Sequence, residues 1–516
     1  MILGAMGTWS PSPGQVLHVR PTADALAAAQ GAPVDPGPPS FLQGDHLGAY
    51  AARRESGGRH RAWTGTASRL EGEFDAAALA RALTRLVRRH EGLRTWFDVD
   101  GCAAGGTPVR HLVSPDAVDF EVVGVPALSP VPGLPWDEWV TMHLNATFDA
   151  ACRPDSWAPF ALGAVVADDG FSLFWGCDHA FTDGASGVMV LSEIEELYAA
   201  ELGAGPEPEP RRETARSCLD HARAEHELAA ATPADAPEIQ AWVDAVAAHD
   251  GRMPRFVLDL GLAPGETAPV RIRSATLLDA DGLARMDELA AAHRARFTGA
   301  VFAALALTDA RLTGATNWFG VTVVGSRGPG FETTQGWLCN FTPITFPVAD
   351  GGVPASFTTV LPRASAAFRQ ARKVARVPVH AALGVMLADG VLDPASLGSP
   401  QLVSYLDLRK FPGVGRPAYD NGLHFTGEGR TANASLWINR DADRLYVVMQ
   451  TPDTPTAQAA TDRYIAELTA TFEAALLPVA EPEPAGELLP VGAPAQAGQA
   501  DGRDEALEAT GAGPLG

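Results

Sequence analysis

Only five cysteines occur in the 516-residue sequence, at positions 102, 152, 177, 218 and 339, an odd number with no Cys-x-x-Cys pair. That spacing excludes a disulfide framework or a structural zinc site and points to a reduced, cytoplasmic protein. No apolar run approaches the roughly 20 residues that a membrane-spanning helix needs, so membrane insertion is not expected. The opening MILGAMGTWSPSPG lacks the basic stretch and long apolar segment of a signal peptide. Lysine is nearly absent, Lys373 and Lys410 being the only two, and no basic tract is interleaved with aromatics. With a formal net charge of -23, the chain would repel nucleic-acid phosphates.

What is present belongs to a large globular protein. Hydrophobic residues make up 46% and charged residues 20%, and the length exceeds one ordinary core, which predicts two lobes. Residues 1–39, rich in Pro and Gly, are expected as an extended arm. The Pro-punctuated acidic stretch from Gly203 to Glu213 is expected to join a first lobe, 40–213, to a second, 214–480. Residues 481–516 are acidic, rich in Pro, Gly and Ala and without aromatics, which predicts a disordered tail. Two basic helix faces stand out on this acidic background: Arg81, Arg85, Arg88 and Arg89, and Arg363, Arg369, Arg372, Lys373 and Arg376. Each reads either as a solvated face or as a docking site for an acidic partner.

The chemistry concentrates in FSLFWGCDHAFTDGASGVMVLSEIEELYAAEL, residues 171–202. Phe171, Leu173, Trp175, Cys177 and His179 alternate with Ser172, Phe174, Gly176 and Asp178, which predicts a strand that points His179 and Asp178 to opposite sides. Asp168-Asp169-Gly170 predicts the hairpin turn before it. Val188, Leu191, Ile194, Leu197 and Tyr198 recur at helical spacing, so a helix should begin near Gly184 and turn its unpaired N–H groups towards His179. A base beside a helix N-terminus suits acyl transfer, with Asp183 steering the turn. The residues by themselves leave open a strand-end His satisfied by a turn carboxylate. His90 reads as a core histidine.

HAFTDGAS, residues 179–186, resembles the HxxxDG signature of the condensation-domain superfamily of acyltransferases. That superfamily includes nonribosomal peptide synthetase condensation domains, chloramphenicol acetyltransferase and the polyketide-associated (Pap) acyltransferases. Ser40-Phe41-Leu42-Gln43, RRHEGLRTWF from Arg88, VVGSRGPG from Val323 and GWLCNFTPITF from Gly336 resemble further blocks in the same order. The first of the two motif His residues usual in peptide synthetases is Asp178 here. GTWSPSPGQVLHVRPTADA and VSYLDLRKFPG look more like the Pap type, which shifts the expected acceptor from amine towards alcohol.

The resemblance implies an α/β fold of two chloramphenicol-acetyltransferase-like lobes, mixed sheets packed with helices, in a V-shaped pseudo-dimer with a channel between them. It implies a free-standing, monomeric acyltransferase of natural-product or lipid biosynthesis. The acyl group would arrive as a thioester on the phosphopantetheine of a carrier protein or of CoA, with no bound cofactor and no metal. His179 would be the base, with Asp183 and Gly184 completing the motif. Arg327 would pair with Asp183 across the lobes, the other reading being a solvent-facing residue at a strand end, and from the strand alternation Asp178 is expected to point away from the channel and support the turn from behind. Asn340 would lie near the channel, and Ser435 and Trp437, alternating in ASLWINR, read either as its floor or as ordinary core residues. Two alternatives stay open: an amide-forming condensation enzyme using an amine acceptor, and a degenerate module that only binds a carrier.

Overall fold

The computed structural model describes residues 1–124, 133–205, 216–398 and 400–477. Met1–Leu476 pack as one compact unit built on two seven-stranded mixed sheets. The first sheet runs, edge to edge, Ile2–Leu3, Leu423–Thr426, Trp63–Leu70, Gly170–Asp178, Phe160–Ala167, Gln15–Pro21 and Phe120–Gly124. The second runs Cys339–Pro347, Asn317–Gly325, Leu402–Asp407, Ser435–Arg440, Leu445–Pro452, Ala268–Leu278 and Arg430–Thr431. Each sheet carries its own core, so the protein has two sheet-rich lobes.

Strand alternation sorts the first core. Phe171, Leu173, Trp175 and Cys177 face the cluster formed with helix Ala76–Arg89, while Phe174 faces Phe148 and Trp139 of helix Trp136–Ala151. The strand is therefore buried on both sides, as a central strand of a covered sheet must be. In the second lobe, helix Phe297–Thr313 is buried from Gly299 to Ala310 without a polar face, because it lies between the sheet and helix Phe357–Val374.

Two expectations are corrected. Residues 1–39 are not an extended arm: Gln15–Pro21 is an internal strand of the first sheet, hydrogen-bonded on both sides, and Ala23–Gln30 is a helix capped by Thr22. Val16 and Val19, three residues apart, fall on opposite faces of that strand, and each is buried in the core on its own side of the sheet. Nor does the division at residue 214 hold in space. Leu423–Thr426, far along the second half, leaves its own sheet and adds to the first, antiparallel to Trp63–Leu70, with His424 opposite Thr66. Most of the joining stretch that starts at Gly203, and the whole tail from 481, fall outside the described residues.

Candidate active site

The turn at the centre of the site is held at three points. Strand Gly170–Asp178 ends where the Asp178 side chain accepts from the Ala180 N–H (2.9 Å), starting a single 3-10 turn over His179–Phe181. Asp183 then caps helix Gly184–Glu201, its Oδ1 accepting from Ser186 N–H at 2.8 Å. From outside, Ser40 and Gln43 form a reciprocal capping box at the start of helix Phe41–Glu55, and the spare Gln43 amide donates to the Ala180 carbonyl at 2.6 Å. The S-x-x-Q spacing thus fastens one helix start to the motif turn.

Arg327 follows strand Asn317–Gly325 of the second sheet and meets Asp183 bidentately, at 2.6 and 2.8 Å. Its Nη2 also donates to Ser186 Oγ at 2.7 Å, and Asp183 accepts the Leu338 N–H at 3.0 Å. Burial opposes the Asp183 charge, but Arg327 and the two N–H donors outweigh it and hold the pKa below the ordinary value. Asp183 therefore bonds to the lobe junction and not to the His179 ring.

His179 lines a cavity of about 460 Å³ between the sheets, together with Gly184, Ala185, Arg327, Trp337, His424 and Trp437. Its ring lies 4.1 Å from that of Trp337, centroid to centroid. The Nδ1 atom is buried without a hydrogen-bond partner, which leaves Nε2 as the nitrogen for the cavity. Burial first, then the neighbouring His46, lower the His179 pKa, so the ring is an unprotonated base at neutral pH. Gly184 and Ala185, in the first helical turn, line the same cavity, and their N–H groups have no acceptor among the described residues. Cys339 also lines it, but burial pushes its thiol up to about 12, too high for a thiolate nucleophile. A wider groove of about 610 Å³, lined by Arg59, His60 and Asp149 among others, contains neither His179 nor the helix start.

Asp178 points away from the cavity and is fully buried. Its Oδ1 meets His46 Nε2 at 3.0 Å and its Oδ2 meets His60 Nε2 at 2.5 Å. Burial opposes its charge, yet the two imidazoles hold the pKa at about 2. These ligand atoms lie within 4.8 Å of one another, a donor set able to hold a divalent cation, and in the structure the imidazoles meet the carboxylate directly. Sequence spacing did not show this cluster because its members are distant along the chain and share no motif.

Asn340 does not line the cavity. Its amide donates to Ala375 O and Val377 O (2.9 and 2.7 Å) and its carbonyl accepts from Val379 N–H, while its strand neighbours Cys339 and Phe341 face the channel. It is a main-chain staple, so its expected place in the channel is corrected. Trp437 lines the cavity, but Ser435 is not part of the lining. His90 is a satisfied core residue, accepting from Gln335 N–H and donating to Glu193. Of the two basic faces, the first is spent internally: Arg81 and Arg85 share Glu201, Arg88 donates to Val118 O and Arg89 pairs with Glu193. On the second, Arg363 pairs with Asp350, whereas Arg369, Arg372, Lys373 and Arg376 are exposed and make no ion pair among the described residues. Missed altogether were His424, His46, His60 and Trp337; only Trp337, inside a quoted block, carried any signal.

Comparison with known proteins agrees with this geometry. The Condensation domain family model matches residues 52–381. The chain is 29% identical over 468 residues to the 2'-acyl-2-O-sulfo-trehalose (hydroxy)phthioceranyltransferase PapA1 of Mycobacterium tuberculosis (strain CDC 1551 / Oshkosh), covering 90% of this chain and 86% of that one. It is 29% identical over 485 residues to the trehalose-2-sulfate acyltransferase PapA2 of Mycobacterium bovis (strain BCG / Pasteur 1173P2), covering 89% and 94%. A solved PapA2 acyl transferase structure superposes with a TM-score of 0.80 at 26% identity, covering 92% of this chain and all of that one.

Proposed function

Because the chain belongs to the condensation-domain family and is an acyltransferase, we propose that it forms esters, moving an acyl group from a phosphopantetheine thioester to a hydroxyl of a small polyol. The observation that carries this reading is the convergence, in one cavity, of the unprotonated His179 ring and the free N–H groups of Gly184 and Ala185. His179 takes the proton of the attacking hydroxyl as its oxygen bonds to the thioester carbon. The N–H groups receive the resulting oxyanion, and collapse of the tetrahedral intermediate breaks the C–S bond. The proton passes from the imidazolium to the departing thiolate. A thioester is already activated, so no covalent acyl-enzyme is required.

The lining supports the substrate classes. Val323, Phe341, Leu402, Leu406, Phe411 and Val448 make a large part of the wall apolar, which suits an acyl chain. Thr64, Ser404, Tyr405, Thr426 and Gln450 offer hydroxyl and amide groups to a polyol. The relatives named as acting on sulfated trehalose favour a sugar hydroxyl as acceptor. On the donor side, the exposed Arg369, Arg372, Lys373 and Arg376 stand near the end of the helix whose following residues, Ala375 and Val377, are stapled by Asn340 to the channel strand. They suit the phosphates of CoA or the acidic surface of a carrier. Incubating the protein with acyl-CoA or acyl-carrier protein and matched alcohol and amine acceptors, with products resolved by mass spectrometry, tests the reading. Ester formation is expected. Amide as the sole product, or binding of the carrier without turnover, would overturn it.

A further inference from the structure

A second histidine faces the reacting centre. His424 arrives on Leu423–Thr426, the strand that crosses from the second half of the chain into the first sheet, and it lines the same cavity as His179. Its protonation pattern follows from its neighbours. Thr66 Oγ1 lies 2.6 Å from the Gly187 carbonyl, which can only accept, so the one hydroxyl proton of Thr66 points there. The 3.0 Å contact between Thr66 Oγ1 and His424 Nδ1 must then be an N–H donated by the ring. The proton of the neutral imidazole is thereby fixed on Nδ1, and Nε2 carries a lone pair.

That lone pair has no protein partner among the described residues, and its ring is fixed in place. A Cβ at Gly187 would lie 2.3 Å from His424 Cε1, so the motif helix presses directly on the imidazole, while Thr66 anchors its other side. Burial, reinforced by His179, lowers the His424 pKa to about 4. The ring therefore stays neutral and is too weak a base to compete for the proton that His179 removes. What it offers a substrate is one oriented acceptor.

We propose that His424 Nε2 binds the acceptor by taking a hydrogen bond from a second hydroxyl, adjacent to the one that reacts, and so selects vicinal diols of the kind found in sugars. This rests on the alcohol-acceptor reading above. The reacting hydroxyl has a single proton, which must lie towards His179; a neighbouring hydroxyl is the donor left to fill His424. A buried acceptor without a donor is costly, so a mono-alcohol that leaves Nε2 empty is bound less well.

The test compares 1,2-hexanediol with 1-hexanol as acceptors for decanoyl-pantetheine, on the wild-type protein and on His424→Phe and His424→Gln. Wild type should show a KM about tenfold lower for the diol, the scale of one hydrogen bond to a neutral group. His424→Phe should erase that difference by raising the KM for the diol to that for 1-hexanol, and His424→Gln, which restores an acceptor, should recover part of it. Equal KM values for the two alcohols on wild type overturn the proposal even if His424→Phe does not fold. A diol preference that survives in folded His424→Phe overturns it too. Ester formed from neither alcohol, with amide formed from hexylamine, would instead overturn the alcohol reading itself.

Discussion

At the scale of single residues, His179 and Asp178 are adjacent in sequence and separated in function by the alternation of the strand. His179→Ala removes a base and little packing, so transfer should fall by roughly 10²–10⁴-fold with the melting temperature nearly unchanged. Turnover near the wild-type level in a folded variant would rule out His179 as the base. The same ring sets a pH signature. Its pKa is lowered from 6.5, chiefly by burial, so protonation silences it only at acidic pH, and the acid limb of kcat/KM should lie below pH 6.5. A limb above that value, measured with a substrate that does not titrate, would assign the base elsewhere. Asp178→Asn removes a charge that two imidazoles face, so it should cost roughly 1–3 kcal/mol of stability. It should nevertheless spare transfer far better than His179→Ala. An equal loss of rate in a folded Asp178→Asn protein would draw Asp178 into the proton chemistry.

Among elements, the motif turn depends on a helix that is not part of the motif. The capping box at Ser40 and Gln43 would end a helix start anywhere; what makes it particular is the Gln43 amide reaching the Ala180 carbonyl. Gln43→Ala should therefore lose more than a surface cap does, about 1–2 kcal/mol, because it also leaves a buried carbonyl without its donor. Thermal melts of Gln43→Ala and Ser40→Ala check this, with the Gln43 variant expected to show the larger drop and a lower kcat. A Gln43 variant as active and stable as wild type would mean that the turn holds itself.

For the molecule as a whole, the pair Asp183–Arg327 is the joint. It connects the start of the motif helix to the end of a strand of the other sheet, with both side chains nearly buried. Breaking a buried pair from one side strands a charge, at about 3–5 kcal/mol. Asp183→Asn should thus lower stability by that order and reduce activity together with it, since Ser186 N–H bonds one carboxylate oxygen and Leu338 N–H the other, and Asn keeps only one of the two. Denaturant unfolding measures it. A double variant, Asp183→Asn with Arg327→Met, should be more stable than Asp183→Asn alone; a lower stability would show that Arg327 is held mainly by the carbonyls of Thr334, Gly336 and Leu338.

Local pattern carried the strand around 170–178 and the helix from Gly184. In each, a period of two or 3.6 agreed with the burial that the fold imposes. The resemblance added Arg327 as the partner of Asp183, which no spacing could supply. It also misplaced Asn340, because a residue's block says nothing of which strand face it takes. What only the tertiary structure decided depends on long-range pairing. A four-residue strand, Leu423–Thr426, is too short for periodicity to announce, yet its insertion beside Trp63–Leu70 brings His424 to the channel. His46, His60 and Asp178 likewise meet through packing of segments far apart in sequence. The motif fixed His179 and the helix start, because local backbone geometry creates them. His424 and Trp437 join them in the cavity only when the two halves of the chain close on each other.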